Sequence, residues 1–241
     1  MKTAFPGFPH EGLAFLKDLA ANNDREWFTP RKHIFEEQVR QPMLELVTAL
    51  HKEMLRFAPA YVGEPSKCIF RIYRDTRFSK DKTPYKTHIA AAFWRNGLEK
   101  NGSAGYYFAV SAKEIEIAGG LYFAEPDVLR AVRQRIADDP EAFESTWRAR
   151  GRKTLLGDLQ GASVTRPPRG FAPDHPAIDL IKRKQYCFFC QLDPATAATP
   201  KLFPEIVKRF EAMAPFMEFL NAPLPGLARK KRSANLEASA L

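Results

Sequence analysis

Six basic side chains fall between Arg71 and Thr87, in the run RIYRDTRFSKDKTPYKT: Arg71, Arg74, Arg77, Lys80, Lys82 and Lys86. Only Asp75 and Asp81 offset them, so this stretch alone carries a net charge of +4. Arginine offers a planar fork of donors and lysine a mobile point charge, which together suit phosphate or carboxylate oxygens. Arg71, Arg74, Arg77, Lys82 and Lys86 are therefore the candidate anion-binding residues. Tyr85 would stack on the ligand or donate its hydroxyl, and Asp75 would hold Arg74 or Arg77 in position. Two carboxylates do not neutralise six cations, so a multivalent anion is expected beside Arg74, Arg77 and Lys86. A charge run is also how a solvated loop looks, and arginines tied to buried carboxylates would be architecture. A nucleic-acid-binding surface using the same loop, with the basic knot at Arg148, Arg150, Arg152 and Lys153, is the further alternative.

Elsewhere the chemistry is thinner. His88 directly follows the basic stretch, and His175 follows Asp174 in a Gly/Pro-rich segment; either is a weak catalytic candidate, able to exchange a proton near neutral pH. Arg169 joins the anion-binding candidates, with His175 as a further contributor. Cys187 and Cys190 have CxxC spacing, but they fall in a predicted strand, where residues three apart face opposite ways. Zinc would need a second ligand pair, which Cys68 does not supply, and neither HxH nor HExxH occurs. No metal site is expected, and no cofactor is indicated. Glu114 and Glu116 read as the exposed face of a strand. Glycine-rich phosphate loops and nucleophile-elbow motifs are absent. Binding with or without catalysis both remain open.

The basic stretch, above all its core RDxRFSKDKxPYK, resembles the DUF2461 family of bacterial and fungal proteins. The resemblance extends upstream through Phe8, Leu13, Phe15, Leu16, Leu19, Asn22, Asn23, Arg25, Trp27 and Phe28. Downstream it takes in Gly119, Gly120, Tyr122, Leu129, Arg133, the run Pro168-Arg169-Gly170-Phe171, and Asp174, His175 and Pro176. It covers roughly residues 5 to 222. It implies an α+β domain, and it brings no activity or catalytic residues to transfer.

The chain has 241 residues, 45% of them hydrophobic, enough for one large globular domain with a full core. Three cysteines are too few for a disulfide scaffold. No apolar run suits a signal peptide or a membrane span, so a cytoplasmic protein without a membrane partner is expected. The formal charge of +9 is concentrated. The basic stretch holds +4 and the residues from Pro225 onward hold +3, which favours a defined anion site, for a small molecule, over loose wrapping of a polymer. Oligomeric state is not legible.

These groups need elements to position them. Leu13, Leu16, Leu19 and Ala20 repeat at helical spacing over 10–22, and Asn22-Asn23-Asp24 breaks that helix. Thr29-Pro30 starts another, which Pro42 should end or kink. Met43, Val47, Leu50, Met54 and Phe57 mark a third. Strands are predicted at 68–73, 87–94, 106–111 and 114–118, with the basic loop between the first two and Gly119-Gly120 ending the series. Short links require an antiparallel meander. Helices follow from Pro126 and Asp139-Pro140, with an irregular stretch over 151–176, a further strand at 186–192 and a last helix over 200–220. The expectation is a single α+β domain over 1–224, its meander packed by helices from both ends of the chain. A basic, disordered tail is expected over 225–241.

Overall fold

A computed structural model describes residues 5–226. It is an α+β structure with one four-stranded antiparallel sheet. The strands are β1 (His88–Trp94), β2 (Gly105–Ser111), β3 (Ile115–Leu121) and β4 (Tyr186–Leu192), side by side in chain order. The β2–β3 hairpin closes on Ser111. Its hydroxyl accepts from the amides of Lys113 and Glu114, each at 3.1 Å, and donates to the Glu114 carbonyl at 2.9 Å. Side chains alternate across the pleat: Tyr106, Phe108, Val110, Ile115 and Ile117 are buried, while Tyr107 and Glu116 lie half-buried between them.

The chain divides into two units. Among the described residues, the first comprises the chain up to Phe93, Tyr107–Ile117 and Cys190–Lys208; the second comprises Trp94–Tyr106, Ala118–Phe189 and the chain from Arg209 on. All four strands and the last helix, Leu202–Asn221, contribute residues to both units.

In the first unit, the His10–Ala21 helix buries Phe15, Leu16 and Leu19. Its Gly12 marks a close approach: a Cβ there would stand 2.0 Å from the Gln38 carbonyl oxygen. Asp24 caps the next turn by accepting from the Trp27 amide at 2.7 Å. The chain then stays helical through a wide turn at Phe35–Arg40 into the Gln41–Phe57 helix. Pro42 thus neither ends nor breaks the helical course. It stands in a first turn, just after a π-type segment, where its missing N–H is tolerated. Of the predicted stripe, Met43, Val47, Leu50 and Met54 are buried and Phe57 is half-buried; Leu46 is buried beside them.

The second unit is built on helices Pro126–Asp138 and Pro140–Arg148 and the end of the last helix. Phe143 and Phe188 meet Phe216 with ring centroids 5.8 and 4.9 Å away. Asp139 caps its helix by accepting from the Ala142 amide at 2.8 Å. Residues 151–176 are more ordered than expected. A helix at Arg150–Leu156 precedes antiparallel bridges from Gln160 to Cys187 and from Ser163 to Arg183. Gly119 and Gly120 lie inside β3, not beyond it. Gly120 has φ +136°, and a Cβ would meet the Tyr186 carbonyl oxygen at 2.0 Å, so only glycine lets β4 approach. The tail expectation falls, from residue 227 on, outside the described residues.

Candidate functional site

The strand predicted at 68–73 does not form as a continuous strand. A helical turn at Pro65–Cys68 is followed by two isolated antiparallel bridges, Ile69 to Ala91 and Tyr73 to Tyr85. Their registers disagree, because four residues along one segment correspond to six along the other. Hydrogen bonds locate the slip. The Lys86 amide donates to the Ile72 carbonyl at 2.8 Å, and the Phe70 amide donates to the Ala90 carbonyl at 2.9 Å. Thr87, His88 and Ile89 therefore oppose the single residue Arg71. Such a bulge bends the strand and redirects its side chains.

The charges at this bulge form no ion pair with a carboxylate, although the Arg71 charge helps to lower the Asp75 carboxyl. Among the described residues no Asp or Glu pairs with Arg71, Lys86 or His88. Burial, and then the Arg71 charge, push the Lys86 ammonium below its ordinary pKa. Burial, and then Lys86, push His88 down as well. Lys86 Nζ lies 5.0 Å from the centroid of the Phe70 ring, a cation–π contact. The Phe70 ring in turn lies 6.3 Å from Tyr107, whose hydroxyl burial and Glu116 push up to about 12. Tyr107 thus stays a neutral hydrogen-bond donor. Neither Phe70 nor Tyr107 was singled out in the sequence for the site, because contact across the sheet edge leaves no local spacing to read.

The other arginines of the stretch are differently occupied. Arg74 Nη1 donates to Asp81 Oδ2, to the Thr83 hydroxyl and, at 3.3 Å, to the Thr83 carbonyl. Arg77 grips Asp75 with two parallel bonds, Nε to Oδ1 at 3.0 Å and Nη2 to Oδ2 at 2.8 Å. Hydrogen bonds from Arg77, side chain before backbone, hold Asp75 at about 2. Backbone and side-chain bonds from Thr83 and Arg74 do the same for Asp81. Lys82 Nζ donates to the Thr76 carbonyl at 2.9 Å. These bonds tie residues 74–83 into a self-braced loop.

Tyr85 is buried, and its ring stacks on Phe28 with centroids 4.0 Å apart. Its backbone is clasped by Asn23, whose amide donates to the Tyr85 carbonyl at 2.9 Å and accepts from the Tyr85 amide at 3.0 Å. Asn23 therefore does more than break a helix: it fixes the base of the basic loop. Arg169 is exposed in a turn of the second unit, where Phe171 donates to the Pro168 carbonyl. His175, also in that unit, accepts from the Ala177 amide at Nδ1, 3.0 Å away. Cys187 and Cys190 are buried in β4, and burial pushes the Cys187 thiol up to about 12. Among the described residues, no helix is long and apolar enough to cross a membrane, and no group of three or more His, Cys, Asp or Glu is placed to hold a metal ion.

An antiparallel sheet with a braced basic loop at its β1 edge defines an α+β protein with a cationic strand bulge. The chain matches, over residues 11–219, the family described as a conserved hypothetical protein (DUF2461), and it belongs to that family. None of the curated proteins and none of the solved structures compared with it matches.

Proposed function

We propose that the protein binds a phosphate- or carboxylate-bearing small molecule at the bulge formed by Arg71, Lys86 and His88. The observation that carries this reading is that two cations, Arg71 and Lys86, and a neutral imidazole, His88, share one register slip, and none of the three forms an ion pair with a carboxylate among the described residues. The half-buried Lys86 ammonium is held beside the charge of the exposed Arg71 at a cost, which a bound anion would offset. Lys86 and Arg71 supply the charge and the fork, and Phe70 and Tyr107 supply an aromatic wall with a hydroxyl. His88, kept unprotonated at neutral pH, is able to accept a proton from a ligand. Arg74 and Arg77, paired with Asp81 and Asp75, support the loop in this reading.

A ligand bound only to the native state stabilises it by about 1.4 kcal/mol at ten times its Kd, worth roughly 3–5 °C in a chain of this size. Millimolar phosphate is therefore expected to raise the Tm more than sodium chloride at matched ionic strength. Lys86→Met and Arg71→Met abolish that selective gain, and Arg77→Met keeps it. Equal effects of phosphate and chloride on the parent protein overturn the reading.

One observation favours a second reading, binding of single-stranded nucleic acid. Phe78 at the loop tip is 94% exposed, with the Arg77 guanidinium 5.6 Å from its ring centroid and Lys80 and Lys82 nearby in sequence. An exposed ring among cations is a stacking platform for bases. Binding of an oligonucleotide that weakens steeply with salt and is lost in Phe78→Ala would select it.

A further inference from the structure

The second unit contains a cleft of about 620 Å³, within the range of small-molecule sites. Its walls include Pro140, Leu159 and Leu180, and its polar groups include Glu141, Asp179 and Arg183. Trp147 also lines it, is only 5% exposed, and has its Nε1 donor buried with no acceptor in the protein. Arg183, which also lines the cleft, likewise has its Nε buried with no acceptor in the protein. Native proteins rarely leave such donors unanswered, so an oxygen from outside the chain is expected to face them.

The charge balance of the cleft runs against that of the chain. Glu141, Glu144, Asp158 and Asp179 line it with only Arg148 and Arg183, in a protein of net charge +9. Glu144 is paired with Arg148 at 2.9 Å, and Asp158 with Lys153 at 3.2 Å. Glu141 and Asp179 keep their carboxylates without a cation partner among the described residues, and Arg183 keeps its guanidinium without a carboxylate. Two open carboxylates, one guanidinium and a buried indole donor call for a ligand with opposite charges at its two ends.

We infer that this cleft binds a small zwitterion of the amino-acid or dipeptide kind. Arg183 and Trp147 take its carboxylate, Glu141 and Asp179 take its ammonium, and Leu159, Leu180 and Pro140 take an apolar side chain. None of these residues belongs to the proposed anion site, so each reading stands or falls alone.

The test uses leucylleucine as probe and the ¹H–¹⁵N signal of the Trp147 indole as readout, assigned by correlation to its own backbone amide. The dipeptide is expected to move that signal in a saturable way. N-acetyl-leucylleucine, which lacks the ammonium, and leucylleucinamide, which lacks the carboxylate, each bind about tenfold more weakly, as loss of a charged hydrogen bond implies. Asp179→Asn and Glu141→Gln, near-isosteric changes, weaken the dipeptide while leaving the Tm unchanged. An indole signal that does not respond to the dipeptide overturns the inference, as does binding indifferent to both capped forms. A signal that moves equally in Asp179→Asn and Glu141→Gln also overturns it.

Discussion

At the scale of the residue, the proposed site turns on how His88 is charged. Its imidazole is pushed below its ordinary value, first by burial and then by Lys86. A histidine with a depressed folded pKa favours the neutral form. The unfolded chain, near 6.5, takes up its proton first as pH falls, so His88 withdraws stability on the acid side of about pH 6.5. An anion seated beside it reverses the sign by favouring the imidazolium. The imidazole resonance of His88 is therefore expected to titrate below 6.5 in chloride and to move upward in millimolar phosphate. The shift should disappear in Lys86→Met. A His88 midpoint unmoved by phosphate, measured by NMR, would place any bound anion elsewhere. Asp75 and Asp81 differ in kind. Their depressed values reflect bonds already made to Arg77, Thr83 and Arg74, so they contribute above about pH 4 and lose that contribution as pH falls toward 2.

At the scale of the element, the basic loop depends on what holds its two ends. Tyr73 and Tyr85 form its closing bridge, and Asn23 clasps Tyr85 from a distant helical corner with two hydrogen bonds, while Phe28 stacks on its ring. Asn23→Ala leaves both backbone groups of Tyr85 without the side chain that answers them. Its expected cost is about 1–3 kcal/mol, read as a lower urea midpoint at constant m, with the phosphate-specific gain in Tm reduced as well. Asn22→Ala removes only an exposed bond to the Asp18 carbonyl and should cost less. Comparable losses at both positions would mean that Asn23 acts through the helix end and not through the loop. The same elements show what the sequence discloses. The apolar run predicted at 106–111 and the proline-led helix starts are local signals, and they place β2 and the start of the Pro140–Arg148 helix to within a residue. The bulge opposite Arg71 is not local. Its register is set jointly by two segments joined by the basic loop, so the run 68–73 read as a strand although it forms only two bridges. The charge of the basic stretch was legible for the same local reason. Which arginines keep open donors was not, because Arg74 meets Asp81 and Arg77 meets Asp75 only once the loop is folded.

At the scale of the whole molecule, the question is whether two compact units mean two folding units. The division does not run through loops, as a boundary between independent domains does. It cuts β1 between Phe93 and Trp94, β2 between Tyr106 and Tyr107, β3 between Ile117 and Ala118, β4 between Phe189 and Cys190, and the last helix between Lys208 and Arg209. Melting one unit would therefore end all four strands partway along. Asn221 illustrates the dependence within the second unit: it is buried, accepts from the Ala104 amide at 2.8 Å and donates to the Ala104 carbonyl at 2.9 Å, so the last helix secures the approach to β2. We propose accordingly that the chain unfolds as one domain. Calorimetry is expected to give a single transition whose calorimetric and van't Hoff enthalpies agree. Phosphate should shift that whole transition upward, although its proposed site lies entirely in the first unit. Two resolved transitions, with phosphate moving only one of them, would show that the units melt separately despite their shared strands.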